Sequence, residues 1–466
     1  MKRNNVVAES EASAKPSSTQ PEDSHEPGVG NNNRNRLPAA MRALKHRNFQ
    51  LFFGGQLISL VGTWMQSVAQ SWLVYRLTGS SVLLGLVGFS SQIPVFLLAP
   101  IGGIVADRKN RHRIIIITQT IAMVLAFGLA ALTLSGLIKV WHIFAFAAML
   151  GVINSFDIPA RQAFIVDMVG KEDLINAIAL NSSMFNGARI IGPAVAGVLV
   201  AAIGEAWCFF ANGASYVAVI AGLLMMKLAT RPRPARAGSP LAEIVEGFRF
   251  AGQTGPIRAL LLLLGVVSLA GMPYAVLMPI IADRILHGGA SGLGVLMGAS
   301  GVGALAGALS LAGRKGVAGL GRWVAVSSAG FGVGLILFSL SRTFWLSAAL
   351  LVPVGLSMMV QMASSNTLIQ TMVPDHLRGR VMAVYSMMFM GMAPVGSLLA
   401  GVLAGRLGAP ATVAAGGTVC ILGASIFALR LPGLRAEARQ LIVAQQMIGG
   451  VPAEQALSSD VPRQRN

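Results

Sequence analysis

Charge is scarce in this sequence. Only 12% of its 466 residues are charged against 54% apolar, and 18 acidic side chains face 36 lysines and arginines. A soluble chain carries about 25% charged residues, so a mean hydropathy of +0.67 places this one in a bilayer. Two isolated cysteines, Cys208 and Cys420, exclude a disulfide framework and a thiolate metal cluster. They read as small buried hydrophobes. There is no Gly-x4-Gly-Lys-Ser/Thr loop to cradle nucleotide phosphates, since the Gly170-Lys171 pair runs into Glu172. This disfavours ATP-driven pumping by the chain alone. His-Glu-x-x-His, a Gly-x-Ser-x-Gly elbow and clustered membrane carboxylates are also missing, which argues against a membrane enzyme. His142, His287 and His376 are isolated at segment ends. No cofactor and no metal site are expected.

What fills the chain is apolar sequence in twelve stretches, each near the ~20 residues that span a hydrocarbon core. They lie at about 49–75, 82–106, 114–137, 141–160, 174–203, 205–228, 257–283, 290–312, 322–340, 344–372, 380–405 and 409–430. Residues 1–48 read as a polar tail without the apolar core of a signal peptide. Residues 229–256 read as a basic linker, in which Leu241, Ile244, Val245 and Phe248 fall at the spacing of a short interfacial helix. Residues 431–466 read as a second tail, opening on Pro432-Gly433 and holding at most one short helix. Within the span, Gly187, Gly192, Gly197, Gly204 and Gly213 recur as Gly391, Gly396, Gly401, Gly408 and Gly417, always 204 residues later. A repeat that long inside apolar sequence implies two like-oriented copies of one membrane unit, 49–228 and 257–430. The expected fold is all-α and integral to the membrane, with twelve transmembrane helices in two parallel six-helix repeats.

Lysines and arginines sort by side. Thirty of the 36 fall in the tails and alternate loops of one face and five on the other, with Arg189 alone inside a segment. Basic residues resist translocation, so both termini are expected in the cytoplasm, on a multi-pass protein of the cell membrane. The positive charge is therefore a topology signal, and no clustered patch with base-reading residues points to nucleic acid.

The loop after the second segment reads Gly103-Ile-Val-Ala-Asp107-Arg108-Lys109-Asn110-Arg111-His112-Arg113. An Asp among cations at a helix end stays ionised and paired, and breaking and reforming such pairs can act as a latch. Plain anchoring by positive charge is the alternative. This loop resembles the signature Gly-x-x-x-Asp-Arg-x-x-Arg-Lys/Arg of the major facilitator superfamily, with Asn110 where Gly is frequent. Gly187-x4-Gly192-Pro193-x3-Gly197 resembles that superfamily's fifth-helix exporter motif. Asp157-Ile-Pro-Ala-Arg161-Gln162, Leu286-His-Gly-Gly-Ala-Ser-Gly-Leu-Gly294, Arg378-Gly-Arg-Val-Met382 and Gly391-Met-Ala-Pro-Val-Gly-Ser-Leu-Leu-Ala-Gly401 resemble the enterobactin exporter-like branch. The resemblance covers about 45–430. It implies a latch of Gly103, Asp107, Arg108, Arg111, Asp157 and Arg161, in which Asp107 faces the start of the eleventh helix near Arg378 and Arg111 pairs with Asp157. It also implies that helices one, four, seven and ten line a substrate cavity, and that transport is coupled to protons.

Polar residues suited to such a cavity can be named from helical periodicity. Gln56, Ser59, Thr63, Gln66 and Gln70 share one face of the first segment and must point at protein or water, not lipid. Helix packing is the alternative role. Asn154 in the fourth segment, and Gln361 and Ser365 in the tenth beside Met358, are further candidates. Asn186 and Arg189 share a face with Pro193, and a mid-span Arg calls for a carboxylate, an anionic ligand or a carbonyl freed by the proline. Gly187, Gly192, Pro193 and Gly197 read as a thin, bendable hinge. Gly294, Gly298 and Gly301 form one small face of the eighth segment and Gly303 and Gly307 the opposite one, both for close packing. Asp157, Glu205 and Asp283 all lie near expected segment ends, and Asp157 is the first choice for carrying a proton. The function expected is a secondary exporter of a small lipophilic or siderophore-like compound by proton antiport and alternating access. An importer of the same fold and a membrane enzyme remain alternatives.

Overall fold

The computed structural model describes residues 39–170, 172–227, 240–314 and 316–448, and every element in them is helical. Thirteen principal helices follow: α1 Arg47–Thr78, α2 Ser81–Arg108, α3 Arg111–Leu134, α4 Val140–Val169, α5 Leu174–Ile203, α6 Glu205–Leu224, α7 Pro240–Gln253, α8 Gly255–Ile285, α9 Gly289–Ala312, α10 Leu320–Leu340, α11 Phe344–Met372, α12 Asp375–Leu407 and α13 Ala409–Ile448. Eleven of them, α2–α6 and α8–α13, are long and apolar enough to cross a membrane. At 32 residues α1 is as long, but its glutamine stripe lowers its apolar character. α8 carries wide i→i+5 turns at Val267–Gly271 and Ile281–Ile285, and α12 carries one at Met387–Gly391.

Local chemistry sets the reversals. Gly79 ends α1 in the left-handed region at φ 60°, and the Ser80 side chain then accepts from the Leu83 amide to start α2. The Asn110 side chain accepts from the Arg113 amide to start α3. The tight turns at Gly204 and Gly408, a repeat pair, have φ of 89° and 85°.

Inside lipid no hydrophobic force drives one apolar helix onto another, so helices approach through small residues. The main contacts between α1–α6 and the last six long helices are α5 on α9 and α2 on α12. A methyl group placed on Gly294 would lie 2.6 Å from the Pro193 carbonyl oxygen, and one on Gly85 would lie 2.5 Å from that of Ser397. Gly197 touches Gly294, and Gly401 touches Gly85. The 204-residue offset that relates Gly197 to Gly401 therefore relates their surroundings as well. Gly192 likewise abuts Val61 and Trp64 of α1, as Gly396 abuts Leu269 and Pro273 of α8. The two glycine faces of α9 divide as expected, with Gly294 and Gly301 on α5 and Gly303 and Gly307 on α11.

Three sequence boundaries need correction. Residues 39–48 are not polar tail: Ala39–Lys45 is a helical turn packed on α5, with Ala43 fully buried beneath Phe49 and Leu44, and α1 has begun by Arg47. α4 does not stop at 160 but runs to Val169, because Phe164, Ile165, Met168 and Val169 join a core cluster after the polar interruption at Asp157–Arg161. α13 passes through Pro432 to Ile448, held by Leu434, Ala438, Leu441 and Ile442 against the core. The linker helix is present as α7, lying on the start of α12 with Val245 and Phe248 exposed, Gly247 against the Arg380 carbonyl, and Glu246 paired with Arg380. Residues 1–38, 229–239 and 449–466 of the expected tails and linker lie outside the described residues.

Gly197→Val and Gly401→Val should each cost about 1–3 kcal/mol by overpacking. Gly187→Ala should be neutral or stabilising, since its new methyl meets nothing within 4 Å. Thermal unfolding of the purified protein in detergent checks the contrast, and equal effects at positions 187 and 197 would contradict it.

Candidate functional site

Two ends of the molecule can be told apart by charge: a basic face, where Arg47, Arg108, Arg111 and Arg378 lie, and a far face, where Gly79, Gly204 and Gly408 turn the chain. At mid-depth between them, Arg189 leaves the centre of α5 toward the other helix set. Its Nη2 lies 3.9 Å from the Met358 sulfur of α11, and its guanidinium sits 5.7 Å from the Trp64 ring centroid of α1. Phe185 of α5 also packs edge-on against Trp64 at 5.7 Å. Tyr274 of α8 shares a 2.8 Å hydrogen bond with Ser300 of α9. Residues of α1, α5 and α11 thus meet around one cation, and no acidic partner of Arg189 is found among the described residues. The freed carbonyl is not its partner either.

The polar stripe of α1 points at protein, as expected, but not all of it toward one cavity. Gln66 accepts a 2.6 Å bond from Asn212 of α6, so that member joins helices. Thr63 donates back to the Ser59 carbonyl, and Asn186 to that of Ser182. Gln56 and Gln70 are buried and Asn154 is half-buried. Gln361 and Ser365 are fully buried in α11, and the Gln56 Oε1, both amide atoms of Gln361 and the Ser365 hydroxyl lack hydrogen-bond partners. An unmet buried polar group costs about 1–3 kcal/mol.

At the basic face the expected latch is only partly assembled. Arg111 does not pair with Asp157. It donates to Asp167 at 3.3 Å, to Asp107 at 3.5 Å and to the Ala163 carbonyl at 2.9 Å. The cause is the extension of α4, which carries Asp167 to the level of Arg111 and leaves Asp157 deep in the helix. There Asp157, 2% exposed, is bound by Arg161 at 2.8 Å, Thr118 at 2.8 Å and Gln119 at 3.0 Å. Asp107 is 49% exposed and meets Arg111 of its own helix set, not the start of α12. Arg378 pairs with Asp375 at 2.6 Å instead. Arg108 is exposed and Gly103 faces open space. The hinge residues sit in one continuous α5. Gly192 and Gly197 serve close approach to α1 and α9, and Gly187 faces open space.

The far face carries a tie that sequence reading missed. Tyr75 of α1 donates to Asp283 of α8 at 2.6 Å, and Arg284 lies over the Tyr75 ring while donating to the Gly79 carbonyl at 3.2 Å. Ser81 donates to the Gly401 carbonyl at 2.9 Å. Nothing in the sequence marks Tyr75 as more than an interfacial aromatic, because its partner is 208 residues away. Arg76 pairs with Glu205 at 2.7 Å within the first helix set.

Helices packed in this way around a shared mid-depth site define a multi-pass membrane transporter of the major facilitator superfamily. Its backbone resembles a bacterial homologue of the iron transporter ferroportin in an inward-facing state (TM-score 0.63, 16% identical, covering 82% of this chain and 98% of that one). It also resembles an inward-facing, unoccupied bacterial homologue of the human lysosomal transporter Spinster (TM-score 0.61, 14% identical, covering 88% and 98%). More narrowly, the chain belongs to the transmembrane secretion effector family, whose profile matches residues 39–458. It is 28% identical to the staphyloferrin A transporter of Staphylococcus aureus over 79% of this chain and 93% of the relative. It is 26% identical to the enterobactin exporter EntS of Citrobacter koseri over 87% and 96%. It is also 26% identical to the multidrug efflux pump Tap of Mycolicibacterium fortuitum, over 80% and 93%. These relatives are transporters, the class that the sequence placed ahead of an enzyme.

Arg161→Gln should cost about 3–5 kcal/mol, because it strands the buried Asp157 charge. The double variant Asp157→Asn/Arg161→Gln should be more stable than that single variant. Thermal unfolding of the four members of the cycle measures the coupling, and strictly additive losses would show that the pair is not coupled.

Proposed function

We propose that this chain is a secondary exporter that moves a small lipophilic or siderophore-like compound across the cell membrane by alternating access. The observation that carries this reading is the difference between its two ends. The far face is tied across the helix sets by Gly197–Gly294, Gly401–Gly85 and Tyr75–Asp283. Three of the ion pairs described at the basic face join residues of one set, and the fourth joins α12 to the linker helix α7. One end shut and the other unlatched is what a rocking transporter presents in one of its two states. The matched surroundings of Gly192 and Gly396, and of Gly197 and Gly401, favour twelve spans in two parallel six-helix repeats, with α1 as the twelfth. The excess of Lys and Arg in the tails and alternate loops favours a cytoplasmic basic face with both termini on that side.

In that orientation the mid-depth site opens toward the cell interior, ready to load cargo for export. Asp107 and Arg108 are exposed, placed to meet the start of α12 when the basic face closes. The orphaned amide of Gln361 would gain a partner in a rearranged state. Siderophore-like cargo is favoured by the staphyloferrin A and enterobactin relatives, and lipophilic cargo by the multidrug relative. For proton antiport, Asp157 is the strongest carrier, since it is buried in mid-helix and held by groups that could release it. Import remains the second reading, because the same fold runs either way under a different gradient.

Inverted vesicles with an imposed pH gradient should accumulate a dye or siderophore from a panel, and a protonophore should stop them. Depletion of the outside medium by right-side-out vesicles would favour import instead. Asp107→Asn should abolish efflux while the protein still reaches the membrane, and undiminished efflux would remove the latch role.

A further inference from the structure

We propose that Arg189 anchors the transported molecule by a two-oxygen anionic group, a carboxylate or catecholate, and that this makes the mid-depth site selective for organic anions. The inference rests on the transport reading above but adds the chemistry of the cargo. Arg189 is fifteen residues from the start of α5 and fourteen from its end, so either helix end is about 21 Å away at 1.5 Å per residue. Its side chain cannot snorkel that far. A cation held at that depth costs several kcal/mol unless a counter-charge, or water in an open cavity, meets it, and closing the site over cargo removes the water.

Among the described residues, none supplies the neutralising charge. The one mid-helix acid, Asp157, is committed to Arg161, and the far-face acids Glu205 and Asp283 to Arg76 and Tyr75. The Met358 sulfur is a weak acceptor, and the Trp64 face contributes about 0.5–2 kcal/mol. These contacts aim the guanidinium across from α5 toward α11 and leave its charge unbalanced. Its position is functional in geometry as well. It sits between the two helix sets, about 12 Å along α5 from Gly197, the point at which the far face is tied.

A guanidinium presents a planar fork of donors that fits two oxygens at once. Carboxylates and catecholates both offer two oxygens at suitable spacing. Trp64, Phe185 and Met358 beside it provide aromatic and polarisable surface for the rest of an amphipathic anion. Organic cations would meet the same charge as repulsion.

The test uses full-length protein in nanodiscs, with citrate and 2,3-dihydroxybenzoate as oxyanion probes and ethidium as the cationic one. The wild type should bind at least one oxyanion. Arg189→Gln should weaken that binding at least about tenfold, or about 1.4 kcal/mol, and leave ethidium binding equal or tighter. Arg189→Lys should fall between, since a point charge lacks the fork. The swap Arg189→Met/Met358→Arg, which keeps the cation in the same contact, should recover part of the loss. Unfolding temperatures identify variants that fail to fold, and Arg189→Lys carries the comparison if Arg189→Gln is one of them. Failure of the wild type to bind either oxyanion, oxyanion binding undiminished in Arg189→Gln, or an equal loss of ethidium in a folded variant would each overturn the proposal. Vesicles that show import, or no proton dependence, would sink the exporter reading while a selective oxyanion loss kept this one. Efflux of ethidium by a protein that binds no oxyanion would do the reverse.

Discussion

Backbone-to-backbone approach at the far face is the constraint on which the rest depends. Gly85, Gly294 and Gly401 let α2 meet α12 and α5 meet α9 with no side chain between them. In a bilayer such contacts cannot draw on expulsion of water and are made by dispersion over closely fitted surfaces. They are shape-dependent and short-ranged. A helix pair of this kind is either seated or apart, with little in between. That property suits the alternating access proposed above.

Polar chemistry is laid over this frame sparingly, and its placement follows depth. At the far face, Tyr75, Asp283 and Arg284 add directional bonds to the glycine contacts. In the interior, Asp157 is enclosed by a cation and two neutral donors, an arrangement that a proton could disturb. At the basic face, Arg111 gathers Asp107 and Asp167 in one helix set and leaves the other set to its own pairs. Release at one end and engagement at the other can therefore be coupled without any single residue spanning the distance.

Much of this was legible in the sequence because membrane proteins write their architecture in one dimension. Apolar length and the 204-residue glycine offset can be read along the chain, and they located eleven long apolar helices and the close contacts. What stayed hidden required three dimensions. Gln66 belongs to the same stripe as Gln56, yet one meets Asn212 and the other lacks a partner for its carbonyl oxygen. Periodicity cannot say which neighbour stands opposite. Asp157 seemed to lie at a segment end because hydropathy drops at Asp157–Arg161, while the helix continues through residues buried by other helices. The same error of length attached Arg111 to the wrong carboxylate.

The two copies of the glycine rhythm differ at one position that matters mechanically. Pro193 has no amide hydrogen to give the Arg189 carbonyl, whereas Ser397 keeps its amide and adds a 2.9 Å side-chain bond to the Ala393 carbonyl. α5 therefore lacks a rung of its ladder at the level of its guanidinium, and α12 does not at the corresponding place. A load applied where Gly197 touches Gly294 would flex α5 at its own charge, while the same load at Gly401 would be passed along α12 as far as its wide turn. α12 has its own weak point one turn nearer the basic face, where Pro394 follows the wide turn Met387–Gly391, so the two struts yield at different depths.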